Sequence, residues 1–328
     1  MNDIYFGKRV LVTGGLGFIG SNVVHRLVEG GAEVGVIDSL VSGHGGNLEN
    51  LAGVLDQVNV SISDIRDMDQ MTHLVKDYDI VFSLAGQVSH SESMRDPLLD
   101  LSLNCQGQLT LLEALRRCNR DTKVVYSSTR QVYGRPEDIP VDECHPVNPV
   151  DTNGIHKMAA EHYFSLYYEV FGIRSVILRL TNTYGPRMDL ENDSKGFLGT
   201  FIRKALCGET VCIFGDGSQI RDLNYVDDVV EAMLLAGATD SVDGKVFNLG
   251  HPEPVSLQRI VDILQTLLEF PSKTVPFPVQ AKAIDIGDYW GDYSRYRSET
   301  NWEPSVSVEE GLYRTVEWYQ ESDSACVQ

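Results

Sequence analysis

The sequence has few basic residues, and its cysteines are not arranged as a metal site or a disulfide framework. Across 328 residues, 27 Lys and Arg stand against 47 Asp and Glu, a formal net charge of −20. Nucleic acids and anionic lipids bind basic surfaces, so this charge argues against both as general partners. The cysteines show no C-x-x-C pair and no histidine at a metal-ligand spacing, and we expect reduced, buried thiols without metal. They are Cys105, Cys118, Cys144, Cys207, Cys212 and Cys326.

Long apolar runs are also missing. No stretch reaches the roughly eighteen apolar residues of a membrane-spanning helix, and the first residues enter a strand without the apolar region of a signal peptide. We therefore expect a cytoplasmic protein with no membrane partner. The length and the 42% apolar content suffice for one large α/β unit or two lobes, and we favour two lobes.

Short apolar runs alternate with amphipathic stretches in the first half of the chain. This alternation predicts an α/β fold with a doubly wound parallel sheet of Rossmann type. The predicted strands are Arg9–Thr13, Glu33–Asp38, Val58–Ile62, Asp79–Ala85, Lys123–Ser127 and Arg174–Leu180. The strongest predicted helices, Leu98–Cys118 and Lys157–Phe171, cover the sheet and are candidates for a homodimer face.

Proline-punctuated, shorter elements follow residue 180, which predicts a second, smaller α/β lobe. We place the first domain at residues 1–180 and the second at 181–328. Parts of 225–250 are expected to pack back on the first domain, because a helix over Asp227–Ala236 and a strand over Lys245–Leu249 continue the earlier pattern.

A glycine-rich turn, Thr13-Gly-Gly-Leu-Gly-Phe-Ile-Gly20, follows the first strand and opens a helix. Its glycines at 14, 17 and 20 allow a tight turn, close approach of backbone N–H groups to a pyrophosphate, and close packing of the helix. Asp38 ends the second strand, where a carboxylate meets the adenosine ribose and repels a 2′-phosphate. These features predict NAD rather than NADP, with Asp64 and Ile65 bordering the adenine.

Five further motifs occur in order along the chain. They are Ser83-Leu-Ala-Gly-Gln87, Ser127-Ser-Thr-Arg-Gln-Val-Tyr-Gly134, Leu178-Arg-Leu-Thr-Asn-Thr-Tyr-Gly-Pro186, Gly215–Val229 and Trp302–Leu312. With them, nearly the whole chain resembles the extended short-chain dehydrogenase/reductases, the NAD-dependent nucleotide-sugar epimerase and dehydratase family. The resemblance implies a nucleotide-sugar substrate, a UDP-sugar by default, whose carbon is oxidised by NAD⁺ while a base takes the hydroxyl proton.

The resemblance also implies roles for individual residues. Cofactor contacts are expected from Gly14, Gly17, Phe18, Ile19, Gly20, Asp38, Asp64, Ile65, Leu84, Ala85, Gly86, Ser127 and Lys157. Substrate contacts are expected from Gln87, Thr129, Asn182, Arg187 and Arg221, with Asn182 and Arg221 on the diphosphate. The catalytic positions are Thr129, which would bond the reacting hydroxyl, Asn153 and Lys157.

Asn153 departs from the family, which usually carries a tyrosine base four residues before the lysine. An amide does not ionise in the relevant range, so another group must move the proton. Candidates are Lys157, His156, His90 and Glu92. Four explanations remain open: an alternative base, a reaction with different proton demands, an engineered inactive variant, and loss of catalysis with binding retained.

Other departures narrow the reaction. Arg130 and Gln131 replace the two acids that dehydratases use, and Gln131 also replaces the glutamate of decarboxylases. Asp285-Ile-Gly-Asp288 replaces a segment whose arginine clamps the diphosphate, with Lys282 as a possible substitute. Because the acids that dehydratases and decarboxylases use are absent, a 4-epimerase fits the sequence best. A dehydratase or oxidoreductase with an atypical base, and a non-catalytic protein that binds NAD or a nucleotide sugar, remain the alternatives.

Overall fold

A computed structural model describes residues 4–41, 43, 45–192 and 195–322. The strands are β1 (Arg9–Thr13), β2 (Glu33–Asp38), β3 (Val58–Ile62), β4 (Ile80–Ser83), β5 (Lys123–Thr129), β6 (Ser175–Leu180), β7 (Asn182–Tyr184), β8 (Val211–Phe214), β9 (Ile220–Arg221), β10 (Leu223–Tyr225), β11 (Val246–Leu249), β12 (Val255–Ser256) and β13 (Ser272–Val275). The α-helices are α1 (Phe18–Glu29), α2 (Met68–Leu74), α3 (His90–Arg95), α4 (Pro97–Leu101), α5 (Gly107–Cys118), α6 (Thr152–Phe171), α7 (Phe197–Leu206), α8 (Val226–Ala238), α9 (Leu257–Leu267), α10 (Val279–Ala283), α11 (Ser294–Thr300) and α12 (Val308–Glu321).

Seven strands form the central sheet, in the order β11-β6-β5-β4-β1-β2-β3, and every pairing in it is parallel. The fold-class prediction of a doubly wound Rossmann sheet is confirmed. Because the strands are parallel, the carboxyl ends of β1, β2, β4 and β5 meet at one edge, where such sheets bind ligands.

Helices cover both faces of this sheet. On one face, Val23 and Leu27 of α1 pack with Val229 and Met233 of α8 over the buried strand residues. On the other face, α5 and α6 contribute a second apolar layer, stacked at one point as Phe164 on Tyr126 with ring centroids 4.5 Å apart. The central sheet is therefore buried between two apolar layers, which fix the position of its carboxyl edge.

The chain after residue 180 contributes to two separate apolar clusters. Helices α7, α9 and α12 enclose a separate apolar cluster with β8 and β10. Strand β11, by contrast, pairs with β6 and becomes the last strand of the central sheet, while α8 packs on its face. Residues 226–249 therefore pack with the central sheet, although they come after the first elements of the smaller lobe in sequence.

The predicted helix Leu98–Cys118 is helical throughout, but it contains a π-helical turn. A short α4 leads into a π-helical turn over Ser102–Gln106, and α5 starts at Gly107. The wider turn is invisible in apolar periodicity, and such turns commonly occur at functional sites. It places the buried amide of Asn104 against the loop after β4, where its Nδ2 donates to the Gln87 carbonyl at 2.9 Å.

The helix predicted over Lys157–Phe171 starts five residues earlier than expected. Asp151 caps it, because its Oδ1 accepts a hydrogen bond of 2.7 Å from the Gly154 N–H. At the other end, Gly172 adopts a left-handed conformation that stops the helix. The cap brings Asn153 into the first turn and Lys157 into the second.

The cysteines differ in part from the expectation of buried, reduced thiols. Cys105, Cys118, Cys144 and Cys212 are free, and Cys118 and Cys144 are exposed. Cys207 is disulfide-bonded, which corrects the expectation for that residue, since sequence spacing says nothing about pairing of distant cysteines. Cys326 lies outside the described residues. Within the described ranges, no helix is both long and apolar enough to cross a membrane.

Candidate functional site

A cavity of about 1370 Å³ opens at the carboxyl edge of the central sheet and continues into the second lobe. The residues that line it include Gly14, Gly17, Phe18, Ile19, Gly20, Asp38, Asp64, Ile65, Leu84, Ala85, Gly86, Gln87, Ser127, Thr129, Asn153, Lys157, Asn182 and Arg221. One cavity therefore brings together every predicted site residue except Arg187.

The glycine turn between β1 and α1 leaves no room for side chains. Gly14 has φ +71°, and a Cβ on it would lie 2.7 Å from the Ala85 nitrogen. A Cβ on Gly20 would overlap the Gly14 carbonyl oxygen. The first N–H groups of a helix lack partners within the helix, so the start of α1 forms an anion site lined by bare backbone. This geometry fits the pyrophosphate of a dinucleotide.

Asp38, the last residue of β2, lines the cavity. Its Oδ2 accepts a 3.2 Å hydrogen bond from the Leu16 N–H, and its Oδ1 accepts one of 3.0 Å from Leu40. Asp64 lies nearby, and its hydrogen bond with Arg66 lowers its carboxyl pKa. Asp38 has no such cation within 4 Å among the described residues, so no side-chain ion pair neutralises its charge.

We expect Asp38→Asn to reduce discrimination between NAD and NADP by about tenfold or more, because it removes the charge that repels a 2′-phosphate. Equilibrium binding of both cofactors, followed by fluorescence, measures this. Asp64→Asn is the matched control, since Arg66 Nη2 already neutralises its carboxylate at 2.5 Å. Equal changes in the two variants would contradict the assignment of Asp38.

Lys157 is the buried cation at the centre of the cavity. Its Nζ donates to the Ser127 carbonyl at 3.0 Å and lies 5.1 Å from the centre of the Tyr126 ring. Burial lowers its pKa to about 8, although Asp100 and Glu161 act in the opposite direction. Thr129, at the end of β5, reaches the same space, and its Oγ1 accepts from the Gln131 N–H at 3.2 Å.

Asn153 also lines the cavity, and its Nδ2 enters a buried polar network. Its Nδ2 donates to the Gln87 carbonyl at 2.8 Å and approaches Asp100 Oδ2 at 3.3 Å. Asn104 Nδ2 makes the same pair of contacts from the π-helical turn. The loop that follows β4 is therefore fastened by two amides, one of which occupies the position of the family's tyrosine.

His90 begins the helix that follows this loop, and it lines the cavity. Its Nδ1 lies 3.1 Å from Oδ2 of the buried Asp151. The same Oδ2 accepts a 2.8 Å hydrogen bond from Gln131 Nε2. Burial raises the Asp151 pKa, but the contacts with His90, Gly154 and Gln131 outweigh burial and lower it overall. Asp151 is thus an anion that both caps α6 and faces His90.

Arg221, predicted to hold a diphosphate, is partly neutralised within the protein. Its Nη2 lies 3.1 Å from Asp285 Oδ1, and its Nη1 donates to the carbonyls of Ile220 and Gly287. Burial, with the charge of Arg130, lowers its pKa to about 10. The acid of Asp285-Ile-Gly-Asp288 therefore pairs with this arginine.

Arg130 supplies a second guanidinium beside it. Its Nη2 donates to Asn182 Oδ1 at 3.2 Å, and its charge centre lies 5.4 Å from the Tyr289 ring. No carboxylate of the described chain lies within 4 Å of it. Arg130 stands where dehydratases of the family carry an acid. In the structure its guanidinium lies beside Asn182.

Four other predicted residues lie elsewhere. Arg187 donates to Asn22 Oδ1 at 2.8 Å from a backbone with φ +69°, away from the described cavity wall. His156 Nδ1 contacts Asp100 Oδ1 at 2.6 Å behind Asn153. Glu92 accepts from Gln87 Nε2 at 3.0 Å, and Lys282 lies over Phe277. None of these four is among the described residues that line the cavity.

Sequence reasoning missed the buried carboxylates beneath the site. Asp100 contacts His156 at a separation of 56 residues in sequence, and Asp151 contacts Gln131 at a separation of 20. The signal for Asp151 was a helix cap directly before the segment of Asn153 and Lys157. For Asp100 no sequence signal was available.

Comparison with known proteins agrees with this geometry. Residues 10–250 match the NAD dependent epimerase/dehydratase family. The chain is similar to a UDP-glucose 4-epimerase of Mycolicibacterium smegmatis, with 34% identity over 95% of this chain and 98% of the relative. It is also similar to a UDP-N-acetyl-alpha-D-glucosaminuronate decarboxylase of Bacillus cytotoxicus, with 31% identity over 97% and 99% of the two chains.

A solved structure gives the same picture. UDP-glucose 4-epimerase of Thermotoga maritima with UDP-glucose superposes with a TM-score of 0.88 and 35% identity, covering 96% of this chain and 100% of that chain. The chain belongs to the NAD-dependent epimerase/dehydratase family, and NAD is its cofactor.

Proposed function

We propose that the protein is an NAD-dependent isomerase of a nucleotide-activated sugar, a 4-epimerase that works through a transient keto-sugar. The observation that carries this proposal is the single cavity that joins the glycine turn, the Thr129 and Lys157 pair, and the Asn182 and Arg221 pair. A dinucleotide bound at the glycine turn and a nucleotide sugar bound at Asn182 and Arg221 would meet beside Thr129 and Lys157.

The residues have distinct roles in this proposal. The glycine turn, Asp38, Asp64 and Ile65 hold the adenosine and pyrophosphate, while Leu84, Ala85, Gly86 and Ser127 border the nicotinamide ribose. NAD, when bound, accepts a hydride from the sugar carbon and returns it to the opposite face. Lys157 binds the nicotinamide ribose and adds positive charge near the reacting oxygen, and Thr129 orients the hydroxyl. Gln87 and Asn182 contact the substrate.

The carboxylates of the cavity favour epimerisation over dehydration. The lining acids in the described part of the chain are Asp38, Asp64, Asp189 and Asp285. Two lie at the adenosine end, Asp189 pairs with Lys195, and Asp285 pairs with Arg221. Elimination of water needs a positioned acid and base at the sugar, whereas epimerisation needs a relay for one hydroxyl proton.

The substrate class follows from the cationic end of the cavity. Arg221 and Arg130 lie together with Asn182, a set suited to a diphosphate. Relatives that act on UDP-sugars make a UDP-sugar the first substrate to test. Arg187 keeps no role in this proposal, because it contacts Asn22 instead.

We further propose a cytoplasmic homodimer without nucleic-acid or membrane partners. Leu98, Leu166 and Val170 lie on α4 and α6 with large exposed fractions, 76%, 46% and 61%. Exposed apolar side chains on neighbouring helices are typical of a subunit interface. The proposed domains are the NAD-binding domain, 1–180, with parts of 225–250, and the nucleotide-sugar-binding domain, 181–328.

Incubation of the purified protein with a panel of nucleotide sugars tests the function. We expect the 4-epimer of at least one UDP-sugar to form without net NADH, as measured by NMR of the product and absorbance of the cofactor. A product lighter by one water would replace the proposal with dehydration, and accumulating NADH would replace it with oxidation. Bound NAD without turnover of any sugar would contradict catalysis altogether.

A further inference from the structure

We propose that His90 is the base that exchanges the hydroxyl proton with the sugar, and that Asp151 positions it and stabilises its protonated form. This inference rests on the proposed epimerase function, and it assigns the step that Asn153 cannot perform. The proton passes from the hydroxyl oxygen to Nε2 of His90 as the hydride of the same carbon goes to NAD⁺. Both return in the second half of the reaction, so no further reagent is consumed.

Position selects His90 among the candidate bases. It lines the cavity together with Thr129 and Lys157, and its side chain is 36% exposed, so it is open to a ligand. Its Nδ1 faces Asp151 Oδ2 at 3.1 Å, which leaves Nε2 as the nitrogen for a substrate. A buried carboxylate within ion-pair distance of one ring nitrogen stabilises the cation that forms when the other nitrogen takes a proton.

The other candidates are turned to different partners. His156 Nδ1 contacts Asp100 at 2.6 Å, and its side chain is 12% exposed behind Asn153. Glu92 bonds Gln87 at 3.0 Å. Lys157 donates to the Ser127 carbonyl, at the nicotinamide side of the proposed site. His156 and Glu92 are not among the described residues that line the cavity, whereas His90 is.

Asn153 has a structural role in this proposal, because its amide holds the loop that leads to His90. Its amide donates to the carbonyl of Gln87 at 2.8 Å, and Gln87 Oε1 accepts from the Ser89 N–H at 2.6 Å. These bonds fix the loop that ends at His90. A tyrosine has no N–H at the amide position and could not make this bond. The substitution that removes the family's base therefore also anchors the segment that carries the new one.

Several charged groups lie on the elements packed around His90. Asp151 precedes α6, His156 lies in its first turns, Asp100 lies on α4, and Glu92 and Arg95 share the helix of His90. Of these, Asp151 is the group in ion-pair distance of the imidazole within the described chain. Its carboxylate is held by Gln131, the residue that replaces the acid of dehydratases and decarboxylases.

The decisive experiment compares His90→Asn with wild type in the epimerase assay. We expect kcat to fall by about 10²- to 10⁴-fold, and the acidic limb of the kcat/KM profile to disappear, because that limb reports the free enzyme's base. NAD affinity and melting temperature should stay unchanged. His162→Asn is the matched control, an exposed histidine on α6 outside the cavity. His156→Asn tests the rival base.

Asp151→Asn separates positioning from structure, because asparagine caps helices as well as aspartate does. It should keep the fold while lowering kcat by about tenfold or more with little change in KM, since the anion that positions the imidazole and stabilises its protonated form is gone. The NMR resonance of His90 Cε1–H, identified by its loss in His90→Asn, reports the changed surroundings of the ring without turnover.

Three results would overturn the inference. They are full turnover by His90→Asn with active wild type, loss of turnover confined to His156→Asn, and an unmoved His90 resonance in Asp151→Asn. Failure of wild type to turn over any sugar would instead refute the proposed function, so the two failures are distinguishable.

Discussion

Lys157→Met is expected to lower kcat by about 10²- to 10⁴-fold while the protein stays folded. The ammonium is the cation that would bind the nicotinamide ribose and stabilise negative charge on the reacting oxygen. Within the described chain, no carboxylate lies within 4 Å of Nζ, so the substitution leaves no acid without its partner. Steady-state kinetics and equilibrium NAD binding measure the loss, and we expect NAD affinity to fall as well.

Lys123→Met is the matched control for this prediction. Lys123 is equally buried, but it starts β5 at the opposite edge of the sheet, where Nζ contacts Asp243 Oδ1 at 2.8 Å and Thr239 O at 2.6 Å. Its loss should lower stability, because Asp243 loses a partner, and should leave kcat and NAD affinity unchanged. Equal kinetic losses in both variants would mean that Lys157 acts through folding.

The pH dependence of stability gives a second test of Lys157. Burial lowers its pKa to about 8, below the ordinary value of 10.5. Between these two values the unfolded chain binds a proton that the native protein does not bind, so native stability rises with pH. Wild type should therefore gain stability relative to Lys157→Met between pH 8 and 10.5. Urea midpoints of both proteins measure this, and a relative loss would contradict the assignment.

The residues of the proposed cofactor site lie close together in the chain, so the sequence predicts the elements that carry them. Strands β1 and β2 have the predicted bounds, Arg9–Thr13 and Glu33–Asp38. The glycine turn follows the first and Asp38 ends the second. Each element is specified locally, by an apolar run and by glycines that leave room for backbone alone.

The substrate half depends on pairs that are distant in sequence. Arg221 pairs with Asp285, 64 residues away, and His90 with Asp151, in another motif. Sequence reasoning noted that an acid replaces a base in Asp285-Ile-Gly-Asp288. It could not show that this acid neutralises Arg221, because only the folded chain brings β9 beside that segment.

Backbone geometry accounts for two further differences. Arg187 has a positive φ that directs it toward Asn22 on α1, and a motif match says nothing about that direction. The π-helical turn at Ser102–Gln106 widens a helix whose apolar pattern shows no irregularity. In both cases the local structure depends on side-chain contacts that the sequence pattern does not encode.

Arg179→Met is expected to destabilise the protein by about 3 to 5 kcal/mol, the largest stability effect that we predict for one side chain. Arg179 on β6 meets Glu161 on α6 through Nη2–Oε2 at 2.6 Å and Nε–Oε1 at 3.0 Å, and both side chains are buried. Its Nη1 also donates to Tyr133 Oη at 2.8 Å. The variant leaves the Glu161 carboxylate in the interior without its cation.

A drop in melting temperature of about 4 to 7 °C would correspond to this loss in a protein of this size. Arg314→Ala is the matched control, since Arg314 and Glu310 form an exposed pair on α12 at 2.7 Å, and such pairs contribute less than about 1 kcal/mol. A change in Arg179→Met no larger than that of the control would contradict the prediction.

The double variant Arg179→Met with Glu161→Leu shows where the cost arises. Removing both charges should recover much of the stability, because a buried ion pair often contributes little over apolar groups, whereas one unpaired charge is costly. Ser128 also donates to Glu161, one residue before Thr129. We therefore expect the double variant to regain its melting temperature but not its full kcat, since the carboxylate that holds the end of β5 is absent. This would separate the stability of the sheet from the positioning of Thr129, the residue proposed to orient the hydroxyl.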